Sequence, residues 1–253
     1  MTVQYGLQMY SVRDLTEVSL REALEKVSQL GYKYIEFAGF FGHKADEVKG
    51  WLDEYNLECS GTHTGVEALM PETIDETIKY HLTIGCKRII VPGCDWSTVE
   101  KCNEVLRVFN EAQKKLKENG IVLGYHNHSA EFFPTADGII FEDEVIAKTN
   151  IELEIDTFWA YNAGIDVVEY LEAHKDRISV IHLKDGIAVP EKNRNFKDVH
   201  NGVVGLSIGS GEAPISAIRN WAIKNNVLMV VESEGLDPTG IEEVKRCIDF
   251  LNK

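Results

Sequence analysis

The stretch GYHNHSAEF, residues 124–132, brings two imidazoles and a carboxylate together at His126, His128 and Glu131. Such groups need partners when they are buried. Groups of the same chemistry recur downstream: Asp156 in IELEIDTFW, His182 in SVIHLKD and Glu232 in VLMVVESEG. If these runs are neighbouring strands, Glu131, Asp156, His182 and Glu232 meet around one small volume. Three carboxylates and an imidazole so placed repel one another unless they are protonated or bridged by a cation, and a divalent metal is the simplest remedy. Carboxylate and imidazole without thiolate suit Mn2+, Mg2+, Co2+ or a catalytic Zn2+. The four residues are therefore the expected ligands of one divalent ion.

The elements that must position them follow from periodicity. Apolar, β-rich runs near 4–10, 32–38, 58–63, 87–92, 121–128, 151–158, 178–184 and 227–233 alternate with segments of helical period,. In LREALEKVSQLG, Leu20, Ala23, Leu24, Val27 and Leu30 share a face and Gly31 sits where a left-handed cap belongs,. Runs such as RIIVP and VLMVV are apolar on both faces, as strands of a covered parallel sheet should be,. Eight βα units in 253 residues predict an α/β fold of the (β/α)8 TIM barrel class, one domain over 1–253,. No GxGxxG follows an early strand, which removes the main support for a dinucleotide fold.

In such a barrel the site forms at the carboxyl ends of the strands. Those ends carry Gln8, Glu36, His63, the HNHSAE cluster, Asp156, His182 with Lys184, and Glu232 with Glu234. The period of two puts Glu152, Glu154 and Asp156 on one face, pointing inward, and makes Lys184 a candidate partner for Glu154. His126 and His128 share the inward face and Asn127 takes the other. One histidine is expected to contact substrate or simply to be buried and hydrogen-bonded, the other to orient Glu131. His43, His81, His174 and His200 fall in helices or loops and are assigned to solvent. The loop GLSIGSGE, 205–212, reads either as a phosphate cradle or as a flexible glycine loop,.

Composition narrows the partners. A formal charge of −15 disfavours nucleic acid and anionic membranes,. The five scattered cysteines form no CxxC pair, which favours reduced thiols. No basic-then-apolar leader or membrane-length apolar run is visible. A cytoplasmic protein with a small-molecule partner, and a homo-oligomer as an open possibility, is expected.

From GLQMYSVRD through GYKYIEFAG, GYHNHSAEF, IDTFWAYNAG and IHLKDG to VVESEG, the chain resembles the xylose isomerase-like barrels, specifically the sugar isomerase and epimerase branch with its inosose dehydratase relatives. The resemblance implies a divalent metal on Glu131, Asp156, His182 and Glu232, with Glu131 and Glu232 as the acid/base pair. It implies substrate contacts from Glu36 and His63. Two departures matter. The histidine that epimerases carry after the sixth-strand aspartate is missing, with Trp159 nearby, and the arginine after the seventh-strand histidine gives way to Lys184 or Arg194. With His126 and His128, these make the expected substrate-binding set. Phe40, Phe132, Phe158 and Trp159 are aromatic candidates for stacking on a sugar, or else packing residues. The activities implied are isomerisation or epimerisation of a keto-sugar or sugar phosphate through an enediolate, dehydration of a keto-inositol or keto-sugar at the same site, or sugar binding without turnover. Phosphodiester cleavage, known in the same barrel type, fits poorly with the acidic charge.

Overall fold

The computed structural model describes residues 3–189 and 195–253. Seven strands come first in the chain: β1 (Gly6–Gln8), β2 (Tyr34–Phe37), β3 (Glu58–His63), β4 (Arg88–Val91), β5 (Val122–His126), β6 (Glu152–Asp156) and β7 (Val180–Leu183). A small antiparallel pair, β8 (Asp185–Ile187) and β9 (Val204–Leu206), is inserted next, and β10 (Leu228–Val231) then pairs in parallel with β7 and β1 to close the barrel. The protein is thus a (β/α)8 TIM barrel. Its barrel strands match the eight sequence runs, and all but β3, which coincides with its run, are shorter at their ends. The inserted hairpin was not legible, because Asp185–Ile187 follows directly on the seventh run and is only three residues long.

Alternation along each strand sorts the side chains. Outward residues such as Leu7, Ile35, Ile89, Leu123, Leu153, Ile181 and Met229 join helix residues such as Leu20, Leu24 and Val27 in one continuous apolar core. Burying each such side chain contributes roughly 1.5–3 kcal/mol. Local signals set the helix ends. Ser19 accepts a hydrogen bond from the Glu22 amide at the start of the helix Leu20–Gln29, and Thr98 and Thr239 cap the helices Val99–Glu118 and Gly240–Leu251 in the same way,. Gly85, at φ +75°, ends the helix Ile74–Ile84 in the left-handed conformation expected of such a cap,.

Inward residues fill the lumen in layers. Near the floor Arg88 donates to the Ser60 carbonyl at 2.8 Å, Ser179 Oγ at 2.7 Å and Glu152 Oε2 at 3.3 Å, tying together four strands or their entries. At Gly124 a Cβ would lie 2.7 Å from Ile90 Cδ1, so a larger residue there would displace the Ile90 side chain. Above these layers the lumen is lined by histidines and carboxylates. No helix among the described residues is long and apolar enough to cross a membrane.

Candidate active site

The polar layer starts with two acids that have no room for solvent. Glu36 and Glu154 are both 0% exposed. Glu36 Oε1 accepts from Gln8 Nε2 at 2.8 Å and from His182 Nε2 at 2.6 Å, and lies 3.1 Å from His63 Nε2. Glu154 Oε1 lies 3.0 Å from His63, 3.1 Å from His182 and 3.3 Å from His126. Three imidazoles thus gather around two carboxylates. Burial lowers the His63 imidazole, but Glu36 and Glu154 outweigh it and raise it to about 9. For His182 the same contest ends well above the ordinary value. His126 goes the other way: burial, then the neighbouring charge of His182, hold it well below.

One layer up, at the strand ends, His126, Asp156, His182 and Glu232 offer one donor atom each, all within 4.8 Å of one another. The strands explain the convergence. β6 is paired with β7 so that Asp156 stands opposite His182, and Glu232 follows directly on β10, next to β7. Asp156 caps the short helix Thr157–Asn162: its Oδ1 accepts from the Phe158 and Trp159 amides at 2.9 Å each. That leaves Oδ2 buried with no hydrogen-bond partner. His126 Nδ1 is likewise buried and unpartnered, its 3.3 Å approach to Glu154 being misaligned for a hydrogen bond. Two unsatisfied donor atoms within a buried group of imidazoles and carboxylates fit a divalent ion. His63, His126, Glu154 and His182 also converge within the same limit, one layer deeper.

Glu131, expected to end the fifth strand, stands instead on the turn Ala130–Phe132. Its carboxylate accepts from the Tyr125 hydroxyl at 2.9 Å and from the His128 amide at 3.0 Å. Tyr125 is an outward residue of β5, packed against Phe109 and Phe141. Glu131 is drawn toward the helix layer with it, and belongs to neither group of converging donors. Burial raises the Glu131 carboxyl, yet His128 and Tyr125 hold it below its ordinary value. His126 takes the fifth-strand place in the donor group.

Lys184 corrects a second expectation. It does not pair with Glu154, which lies a layer deeper among the histidines. Its Nζ lies 2.6 Å from Glu234 Oε1 and 3.7 Å from both Asp156 Oδ2 and Glu232 Oε2, and sits 4.6 Å over the Trp159 ring. Burial lowers this ammonium, but Glu232, Asp156 and Glu234 outweigh it and keep it charged. Burial also pushes the Asp156 carboxyl up, to about 6.

The other expected residues are found around this centre. Trp159 is buried between Lys184 and the exposed His200, whose ring is 4.8 Å away. His128 lies at the rim, its side chain 35% exposed and its Nδ1 3.9 Å from Glu131. Phe158 is fully buried, Phe40 packs on Phe37 and Tyr80, and Phe132 packs on Tyr170, so these three are packing residues. Arg194 lies outside the described residues. His81 is not at solvent: it is 2% exposed, with Nε2 2.7 Å from Thr62 Oγ1 and Nδ1 2.7 Å from the Thr77 carbonyl one turn earlier. It faces the barrel from the inner side of its helix. His43 and His174 are half-buried against Trp51 and Tyr170.

Comparison with known proteins agrees with this architecture. An inosose dehydratase of Geobacillus kaustophilus (strain HTA426) is 26% identical over 188 residues, 65% of this chain. The match spans 61% of that relative's length. A solved sugar phosphate isomerase/epimerase from Parabacteroides distasonis ATCC 8503 is similar with a TM-score of 0.80 at 26% identity, over 100% of this chain and 98% of that one. The probable 3-DHS dehydratase of Bacillus anthracis shares the fold, with a TM-score of 0.75 at 12% identity over 99% of both chains. A family model matches residues 24–253, and the chain belongs to the xylose isomerase-like TIM barrel family.

Proposed function

We propose that this protein is a metal-dependent enzyme that removes a proton next to the carbonyl of a small keto-sugar or keto-polyol and expels a β-hydroxyl as water. The observation that carries this reading is the buried group of His126, Asp156, His182 and Glu232, in which His126 Nδ1 and Asp156 Oδ2 have no hydrogen-bond partner. Those four residues would hold one divalent ion, which when bound would act as a Lewis acid toward the substrate oxygens.

The chain's own groups supply the rest. Glu232 follows directly on β10, with Oε2 2.9 Å from His182 Nδ1, and it takes the α-proton. The Lys184 ammonium, 3.7 Å from Glu232, donates a hydrogen bond to oxygen as negative charge develops there. Trp159 and His128 wall the mouth and contact the sugar, while His63 and Glu36 set the polar floor beneath it. When the C–O bond breaks, the proton held on Glu232 passes to the departing hydroxide. The products are water and a C=C bond conjugated with the carbonyl, with no net oxidation.

Epimerisation or isomerisation by the pair Glu131 and Glu232 starts with the same step. Epimerisation needs a second base on the opposite face, and Glu131 is engaged by Tyr125 and the His128 amide away from the donor group. This favours elimination, as does the inosose dehydratase among the relatives.

The test is to incubate the Mn2+-loaded protein in D2O with keto-inositols and ketoses, following deuterium incorporation and product mass. Loss of water is expected, abolished in Glu232→Gln. Deuterium incorporation with inverted configuration and no water loss would return the function to epimerisation. No reaction with any member would leave a binding barrel.

A further inference from the structure

In barrels of this kind the loops after the seventh and eighth strands, with a helix N-terminus, commonly cradle a phosphate. The loop GLSIGSGE occupies that position here and leads into the helix Ile215–Asn225. Its amides are already spoken for. Asp185 Oδ2 accepts from the Gly209 and Gly211 amides at 2.9 Å each, and Oδ1 accepts from the Gly186 amide at 2.9 Å and the Ala213 amide at 3.1 Å. Asp185 is 1% exposed. The loop is shaped around this carboxylate: Gly209 has φ +86°, and a Cβ on Gly211 would lie 2.3 Å from Asp185 Oδ1. Four backbone donors converging on one buried anion are what a phosphate would otherwise require.

Two cations near the mouth, Arg13 and Lys184, are committed too. Among the described residues, Arg13 donates to the Tyr10 and Glu234 carbonyls at 3.1 and 2.9 Å, and Lys184 is surrounded by Glu234, Asp156 and Glu232. Among the described residues, a phosphorylated substrate arriving here would meet the carboxylates of Asp156, Glu232 and Glu234 and an amide nest already filled by Asp185.

We infer that Asp185 fills the chain's anion cradle from within and that the substrate is a keto-sugar or keto-polyol without a phosphate group. This rests on the keto-sugar reading above and narrows it. Asp185 is a positioning residue: it acts by fixing the loop and closing it to external anions.

The test titrates inorganic phosphate into the 15N-labelled full chain, following the amides of Gly209, Gly211 and Ala213. The wild type is expected to show no saturable shift at these amides, and Asp185→Ala, with the nest vacated, to bind phosphate at least roughly tenfold more tightly. Saturable phosphate binding at these amides in the wild type would overturn the inference. If Asp185→Ala does not fold, the wild-type titration decides alone. In parallel, α-proton exchange is compared between neutral ketoses and their phosphates on the metal-loaded wild type. Faster exchange with the neutral member supports the inference, and faster exchange with the phosphate refutes it while leaving the enolisation chemistry intact. Should neither exchange, the enolisation reading falls and the amide titration still decides the role of Asp185.

Discussion

Glu131 and His126 are five residues apart and exchange places between sequence and structure. The sequence marks both as polar groups after a buried strand, and alternation correctly turns His126 inward. What it does not carry is the direction of a side chain on the turn that follows. There the outward Tyr125 hydroxyl and the His128 amide compete for Glu131 and take it. Glu131→Gln should lose about 1–3 kcal/mol in denaturant unfolding, the cost of disturbing two buried hydrogen bonds. An unchanged midpoint would show that neither bond matters. A second buried acid gives a pH prediction. Glu142 is 1% exposed, accepts from the Tyr170 hydroxyl, and has an unpartnered Oε2. Burial raises its carboxyl from 4.5 to about 7. The folded state therefore holds this proton after the unfolded chain has released it, and stability falls as pH rises between those values, levelling off above. The drop is about 3 kcal/mol in order of magnitude. Glu142→Gln, always neutral, should make the fall of the urea midpoint across that window shallower, leaving the part that Asp156, raised to about 6, contributes. A Glu142→Gln profile as steep as wild type would place the titration elsewhere.

At the scale of elements, the eight strands and the capped helices were legible because their signals are local: apolar alternation, Ser19 and Thr98 as caps, Gly31 and Gly85 as stops. The hairpin of β8 with β9 was not, since its two strands are three residues each and separated by a long excursion. The depth of each lumen residue was also hidden. Sequence puts Glu154 and Lys184 on inward faces, but only the register of β6 against β7 shows that Glu154 lies with the histidines and Lys184 a layer above. Depth is set by small residues as well as large ones. Gly124→Ala would push a methyl to 2.7 Å from Ile90 Cδ1 and should cost about 1–3 kcal/mol by overpacking the lumen. A thermal midpoint equal to wild type would mean that β4 and β5 can part without penalty.

The molecule as a whole combines an acidic surface with a site that concentrates still more acid around few cations. At a formal −15, self-repulsion should be relieved by salt. The thermal midpoint is expected to rise between low ionic strength and about 0.15 M NaCl, and a midpoint that falls would show that surface ion pairs outweigh net charge. Metal binding at the top of the barrel depends on which residues close the site there. The most direct measurement is bound divalent metal per chain after Mn2+ loading and desalting, for wild type, Glu131→Gln and His126→Gln. If His126, Asp156, His182 and Glu232 form the centre, wild type and Glu131→Gln retain the ion and His126→Gln loses it. An ion lost in Glu131→Gln and kept in His126→Gln would contradict that centre.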